Sequence, residues 1–267
     1  EKYVWTTDET VSGLLQIANY GPDAIKGVAV KWTLSDSSGN QVAKGMIPDI
    51  NVPRGGLFNI GEIGILLKDA KAPQQLELEI SLERTNARNR YPLWVYPSDA
   101  RVENFEGLLV CERIDDKVIE TLENSGRVLV VTDEIALEHS VGGFFTPDFW
   151  CYTMFRRLRK NRPVAPGTLG LLCDPEHPAL ADFPTEFHSN WQWWRIVMNS
   201  RPVILDEISG ETKPIVQVVD NIARCQRLGL IFEGMVGKGR LLFCTAKLLN
   251  LTEYPEALQF LNSLIKY

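Results

Sequence analysis

From Val11 to Tyr96 apolar and polar residues alternate in short runs, each closed by turn-forming residues at spacings of about 8–15. No helix of normal length fits this region. In the run Val28–Leu34, Val28, Val30, Trp32 and Leu34 share one face of an extended segment, and Ala29, Lys31 and Thr33 share the other. Trp32 is therefore expected to anchor the core. Ser12–Asn19 ends in Tyr20-Gly21-Pro22-Asp23, the Trp32 run ends in Asp36-Ser37-Ser38-Gly39, and Gln41–Ile47 ends at Pro48. Leu57–Leu66, Gln75–Leu82 and Arg90–Tyr96 bring the total to six or seven strands. That count predicts an all-β immunoglobulin-like sandwich over residues 1–97.

Pro97-Ser98-Asp99 opens a polar stretch, and residues 98–104 read as a linker. After it the period changes. Gly107–Cys111 is a short apolar run of the kind found in buried parallel strands, Asp115–Asn124 is a helix with Asp at its start and Gly126 beyond its end, and Arg127–Thr132 is the next strand. This is a βαβ unit. Thr146-Pro147-Asp148 supplies an N-cap, a proline at the first helical position and an acid in the first turn, for a helix to about Leu158. Thr168–Cys173, Pro202–Leu205 and Ile215–Val219 are expected strands, and Asn190–Asn199 is an expected helix. Leu228–Val236 and Arg240–Thr245 flank Gly237-Lys238-Gly239 as a hairpin, and Pro255–Ile265 closes the chain as an amphipathic helix. Residues 105–267 are thus predicted to form an α/β three-layer domain on a mixed, mostly parallel sheet.

Composition agrees with two soluble cores: 267 residues, 45% hydrophobic and 23% charged, with a net charge of −6. The mean hydropathy is −0.10 and no apolar run approaches the ~18 residues of a membrane helix. The acidic balance leaves no footprint for nucleic acid. The one basic cluster, Arg156, Arg157, Arg159, Lys160 and Arg162, spans a predicted helix end, where cations suit the helix dipole. The chain opens at Glu1 without Met or a signal-like segment, as a processed product or an excised fragment would.

Candidate chemistry is sparse. The five cysteines, Cys111, Cys151, Cys173, Cys225 and Cys244, show no C-x-x-C spacing and suggest neither a disulfide framework nor a zinc site. None has the flanking glycines of a nucleophile elbow. Cys173 ends a strand with His177 nearby, which leaves a cysteine-dependent hydrolase as a rival reading. Three histidines, His139, His177 and His188, cannot make a His-rich metal site, and the glycine pairs lack phosphate-cradle spacing. No catalytic residue, metal or cofactor is expected.

The densest feature is Phe187-His188-Ser189-Asn190-Trp191-Gln192-Trp193-Trp194, echoed by Phe149-Trp150. One reading is a carbohydrate platform, in which indole faces stack on sugar C–H surfaces while Asn190, Gln192 and His188 give directional hydrogen bonds. The candidate glycan contacts are His188, Asn190, Trp191, Gln192, Trp193, Trp194 and Trp150. The other reading is that Trp191 and Trp194, at i and i+3, pack a helix onto its sheet or a neighbour.

Asn19-Tyr20-Gly21, Lys31-Trp32-Thr33-Leu34, Val52-Pro53-Arg54-Gly55 and especially Asn89-Arg90-Tyr91-Pro92-Leu93-Trp94-Val95-Tyr96-Pro97 resemble the immunoglobulin-like sandwich that follows the catalytic barrel in glycoside hydrolase family 2. Thr146–Trp150, Gly167–Gly170, His177–Leu180, Phe183–Glu186 and Asn190–Trp194 resemble the distal α/β region of such β-galactosidase-like proteins from Bacteroides-type bacteria, with a topology similar to class-I glutamine amidotransferases but without their nucleophile. The resemblance implies a non-catalytic accessory region whose partner is the parent enzyme's barrel, in an extracytoplasmic setting, with carbohydrate as a possible ligand and no role for nucleic acid or membrane. The family's catalytic glutamates lie in a barrel that these residues do not match. A free-standing glycan-binding module is the remaining alternative.

Overall fold

A computed structural model describes residues 2–143, 167–208, 212–222 and 224–267. The helix expected from Thr146, the basic cluster, Cys151 and Trp150 lie outside the described residues. The chain forms two compact units, Glu1–Ala100 and Arg101–Tyr267.

The first unit is built only of strands: β1 (Val4–Thr6), β2 (Thr10–Asn19), β3 (Ile25–Asp36), β4 (Gln41–Val52), β5 (Gly56–Leu66), β6 (Gln74–Leu82) and β7 (Arg88–Tyr96). Five form one sheet in the order β1-β7-β6-β3-β4, and β2 pairs with β5 alone. Val11, Leu15, Ile63 and Ile65 of the short sheet share one core with Val30, Leu34, Leu76, Leu78 and Leu93 of the long one, so the unit is a β-sandwich. Period-two patterning places these side chains inward.

Three expectations shift. β1 is too short to show alternation in sequence, yet it pairs in parallel with β7. β4 runs on through Pro48, because Pro48 and Asp49 sit where the register slips between Val30↔Ile47 and Val28↔Ile50, with Asp49 at φ 53. A bulge has no ladder hydrogen bond for a proline to spoil. Trp32 is only partly buried and packs against the rim of the core, lying across Gly45, where an added Cβ would come within 2.3 Å of the indole.

In the second unit β8 (Leu108–Cys111), α1 (Asp116–Glu123) and β9 (Arg127–Val131) make the expected βαβ unit, with β8 and β9 parallel. Asp115 caps α1 by accepting from the Val118 N–H at 3.0 Å. At the other end Ser125 takes φ 64, its N–H bonds to Leu122 O and that of Gly126 to Thr121 O. This is a Schellman closure with serine, one residue earlier than the glycine, in the left-handed position.

The strands β10 (Thr168–Cys173), β11 (Val203–Ile204), β12 (Val216–Asp220), β13 (Arg227–Val236) and β14 (Gly239–Cys244) follow. The sheet runs β10-β12-β13-β14-β9-β8, with β11 on β13. It is mixed, but not mostly parallel as expected: among the described residues four pairings are antiparallel and only β14–β9 and β9–β8 are parallel. The buried half of antiparallel β13, Leu228–Ile231, has the same near-continuous apolar run as a parallel strand, so direction is hidden in the pattern.

Short α2 (Trp193–Met198) and C-terminal α3 (Pro255–Lys266) complete the unit. Val118 and Leu122 of α1 pack on Val128 and Val130. Beyond the end of α3 the chain reaches the sheet, where the Arg127 guanidinium donates to Tyr267 O and the Tyr267 hydroxyl to Glu233. The expected amphipathic α3 is instead buried on all sides from Glu256 to Ile265. Its polar groups have partners: Gln259 donates to Asp182 O at 2.8 Å, Ser263 to Ala179 O at 2.8 Å and Asn262 to Arg101 O at 2.8 Å, while the Glu103 N–H donates to Asn262 Oδ1 at 2.9 Å. Lys266 pairs with both Glu103 and Asp182. The segment expected to act as a linker is therefore tied down from Arg101 onward.

Asn262 serves a donor and an acceptor of that segment from a buried position. Asn262→Ala is expected to cost about 2 kcal/mol in denaturant unfolding, because both backbone groups are left unsatisfied. A loss below about 0.5 kcal/mol would show that the strap does not depend on it.

Candidate functional site

The Trp-rich segment joins β10 to α2 and is fixed by its own polar groups. The Cys173 N–H donates to Phe187 O at 3.0 Å, and Leu172 bridges to His188. The Asn190 side chain accepts from the Gln192 N–H at 3.2 Å and donates to the Glu186 carboxylate. The buried Gln192 amide donates to Pro184 O at 2.7 Å.

These contacts set the three indoles apart. Trp193 is fully buried (0% exposed), held edge-on between Phe183 (4.9 Å, 75°) and Phe260 of α3 (5.0 Å, 75°), and its N–H donates to Thr185 Oγ1 at 2.8 Å. Trp191 and Trp194 remain 53% and 45% exposed, with ring centroids 6.3 Å apart and planes at 48°. The helix does pack through a tryptophan, but through Trp193 rather than the Trp191/Trp194 pair. Because 3.6 residues make a turn, Trp193 points away from both neighbours once its face is buried. Phe187 is exposed and stands edge-on to His188 at 4.7 Å.

Arg195 clamps the same helix, and sequence patterning did not single it out. Its guanidinium lies 3.6 Å from the centre of the Tyr254 ring and 3.4 Å from the buried Glu256 carboxylate. Stacked and paired together, Arg195 ties α2 to the start of α3. The outcome is two half-exposed indoles on a rigid base. Such a surface offers tilted aromatic faces to an apolar or C–H-rich ligand.

The cysteine reading finds no support in the geometry. Burial, with Asp174 and Glu186 adding to it, pushes the Cys173 thiol up to about 11, and Sγ faces Glu186 O at 3.3 Å. His177 Nδ1 is committed to accepting from the Ala179 N–H at 3.2 Å, and the ring stands edge-on to Tyr267. A reactive cysteine needs the opposite shift. Burial likewise pushes the Cys244 thiol up to about 12. Among the described residues, no cluster of three or more His, Cys, Asp or Glu side chains could hold a metal ion, and no helix is long and apolar enough to cross a membrane.

The fold and the exposed indoles thus describe a β-sandwich unit and an α/β unit carrying an aromatic surface. The chain belongs to the family described as "Domain of unknown function (DUF8487)", whose model matches residues 109–267, and residues 9–97 match "Domain of unknown function (DUF8488)". No curated protein matches it in sequence. Among solved structures it is similar to the β-glucuronidase of Parabacteroides merdae (15% identity, TM-score 0.24, covering 33% of this chain and 12% of that one). It is also similar to a putative β-galactosidase of Bacteroides fragilis (10% identity, TM-score 0.28, 49% and 24%) and to a family 123 glycoside hydrolase of Clostridium perfringens (8% identity, TM-score 0.25, 41% and 25%). All three are glycoside hydrolases, and the chain spans between 12% and 25% of their lengths.

Truncation should separate the indoles energetically. Trp193→Ala is expected to cost about 3–5 kcal/mol of unfolding free energy through the cavity it leaves. Trp191→Ala and Trp194→Ala should each stay within about 1 kcal/mol of the parent chain. Equal losses at all three positions would contradict this partition. Alkylation mapped by mass spectrometry should find Cys173 far slower than a free thiol at neutral pH, its rate climbing about tenfold per pH unit toward pH 11 as thiolate appears; a rate already at its plateau at pH 7 would restore a reactive cysteine.

Proposed function

We propose that this chain is a non-catalytic accessory region of a glycoside hydrolase of the family 2, β-galactosidase-like kind. The sandwich unit would serve as an immunoglobulin-like spacer beside the parent enzyme's catalytic barrel, and the α/β unit would offer the Trp191/Trp194 surface to glycan. The observation that carries this reading is the division of labour among the indoles: Trp193 is spent on the core, while Trp191 and Trp194 are held half-exposed above it. Burying apolar surface needs only one of the three, and exposed large aromatics held rigidly are the usual means of gripping sugar faces. The segment Asn89–Pro97 and the segment Asn190–Trp194 supply the family resemblance. An extracytoplasmic location, where polymeric glycans are met, belongs to the same reading. Neither cofactor nor metal is required.

In this role His188, Asn190 and Gln192 differ. His188 is exposed beside Phe187 and able to hydrogen-bond a hydroxyl, whereas Gln192 and the Asn190 amide hold the loop. The two are supports for the site rather than contacts.

Calorimetric titration with β-galactosides, β-glucuronides and plant oligosaccharides tests this directly. Binding of at least one class is expected, in the millimolar to micromolar range usual for shallow sugar sites, weakened about tenfold or more by Trp191→Ala or Trp194→Ala at unchanged stability. Binding unaffected by both substitutions, or none to any glycan, would remove the glycan role. Turnover of a glycoside by this chain alone would overturn the accessory reading.

A further inference from the structure

The segment that ends in α2 divides its large side chains between two faces. Trp193, Ile196 and Val197 are completely buried, whereas Trp191, Trp194 and Met198, spaced three and four residues apart, are 53%, 45% and 44% exposed. That spacing keeps the three on one side, as a row about 10 Å long. Arg195 lies beside the row with its guanidinium engaged by Tyr254 and Glu256, which holds the helix in this orientation.

The tilt of the two indoles limits what can lie on them. Their centroids are 6.3 Å apart and their planes are inclined at 48°. A sugar stacks through a flat face of C–H bonds, and a flat face lies parallel to only one of two planes so inclined. Bonds of about 1.5 Å put opposite atoms of a pyranose roughly 3 Å apart, so one ring centred on either indole stops short of the other. Joined through one glycosidic oxygen, the centres of successive rings lie roughly 5 Å apart, which carries a chain from Trp191 to Trp194 in one step. One further helical turn, about 6 Å of rise, brings the row to Met198, whose flexible thioether suits a third unit. A flat ribbon, in which all ring faces are parallel, is matched by coplanar aromatics and not by this pair.

Resting on the glycan reading above, we infer that Trp191, Trp194 and Met198 read the interior of a soluble oligosaccharide chain, at least three units long and with neighbouring rings inclined to one another, laid along α2 with one unit per side chain. Trp191 and Trp194 are the two stacking positions, and Met198 is an outer, weaker one. The selectivity that follows is for the length and shape of a chain, in place of a single terminal sugar held in a pocket.

The test is a calorimetric titration of the whole chain with two matched series, β-1,4-linked galacto- and xylo-oligosaccharides of one to four units, beside a pull-down on microcrystalline cellulose. In the series that binds, affinity is expected to rise at least about tenfold from one unit to two and about threefold from two to three, then to level off, with no retention on cellulose. Trp191→Ala or Trp194→Ala should erase the first step; Met198→Ala should erase the second and leave the first. All three side chains are exposed, so the variants are expected to keep the parent's stability, and the length series on the parent chain tests the inference without them. A single sugar bound as tightly as the trisaccharide, or firm retention on cellulose, would overturn the inference while leaving the glycan role standing. A second step untouched by Met198→Ala would overturn it as well. Binding to no member of either series would sink it outright, and the broader titration described above then decides whether the glycan role falls with it.

Discussion

A helix buried on every side has to find a partner for each polar group it carries, and α3 imposes that requirement on the whole second unit. Gln259, Asn262 and Ser263 are met by Asp182, by Arg101 with Glu103, and by Ala179. Glu256 is met by Arg195. Each of these partners lies on a stretch that would otherwise be loose surface: the entry segment, the loop after β10 and the start of α2. Polar satisfaction of one helix thereby orders the entry segment, the loop after β10 and the short α2.

The tryptophan surface is a consequence of that ordering. Phe260 of α3 and Phe183 of the loop leave an aromatic slot that takes Trp193 edge-on and gives its N–H an acceptor in Thr185. With Trp193 fixed, its neighbours in the helix turn have no core left to enter. Arg195, clamped between Tyr254 and Glu256, prevents the short α2 from rolling to hide them. The first unit shows a different economy. Its core closes where two strands face five.

The strands of the first unit were legible because period-two alternation records directly which side is buried, and six of the seven follow from it. β1 was not, since three residues cannot display a period, and the passage of β4 through Pro48 was hidden because a bulge removes the very hydrogen bond that makes proline a breaker. In the second unit the βαβ start was written in its caps, Asp115 above all. Strand direction was not, because a strand covered on both faces reads the same whichever way its neighbour runs. The all-round burial of α3 escaped pattern reading for a related reason: Gln259, Asn262 and Ser263 look solvent-facing until their partners, far away in sequence, are known. The Trp-rich segment was visible by composition alone. Which indole is spent on the core was decided by Phe183 and Phe260, and no local spacing carries that information.

The proposed glycan role assigns contact to Trp191 and Trp194 and none to the buried Trp193 and Trp94. Indole N–H resonances of 15N-tryptophan-labelled protein, assigned by single substitutions, report on each ring separately. Addition of the glycan that binds best should move the Trp191 and Trp194 signals progressively to saturation while those of Trp193 and Trp94 stay in place. Shifts confined to other tryptophans, or no shift under saturating ligand, would contradict it.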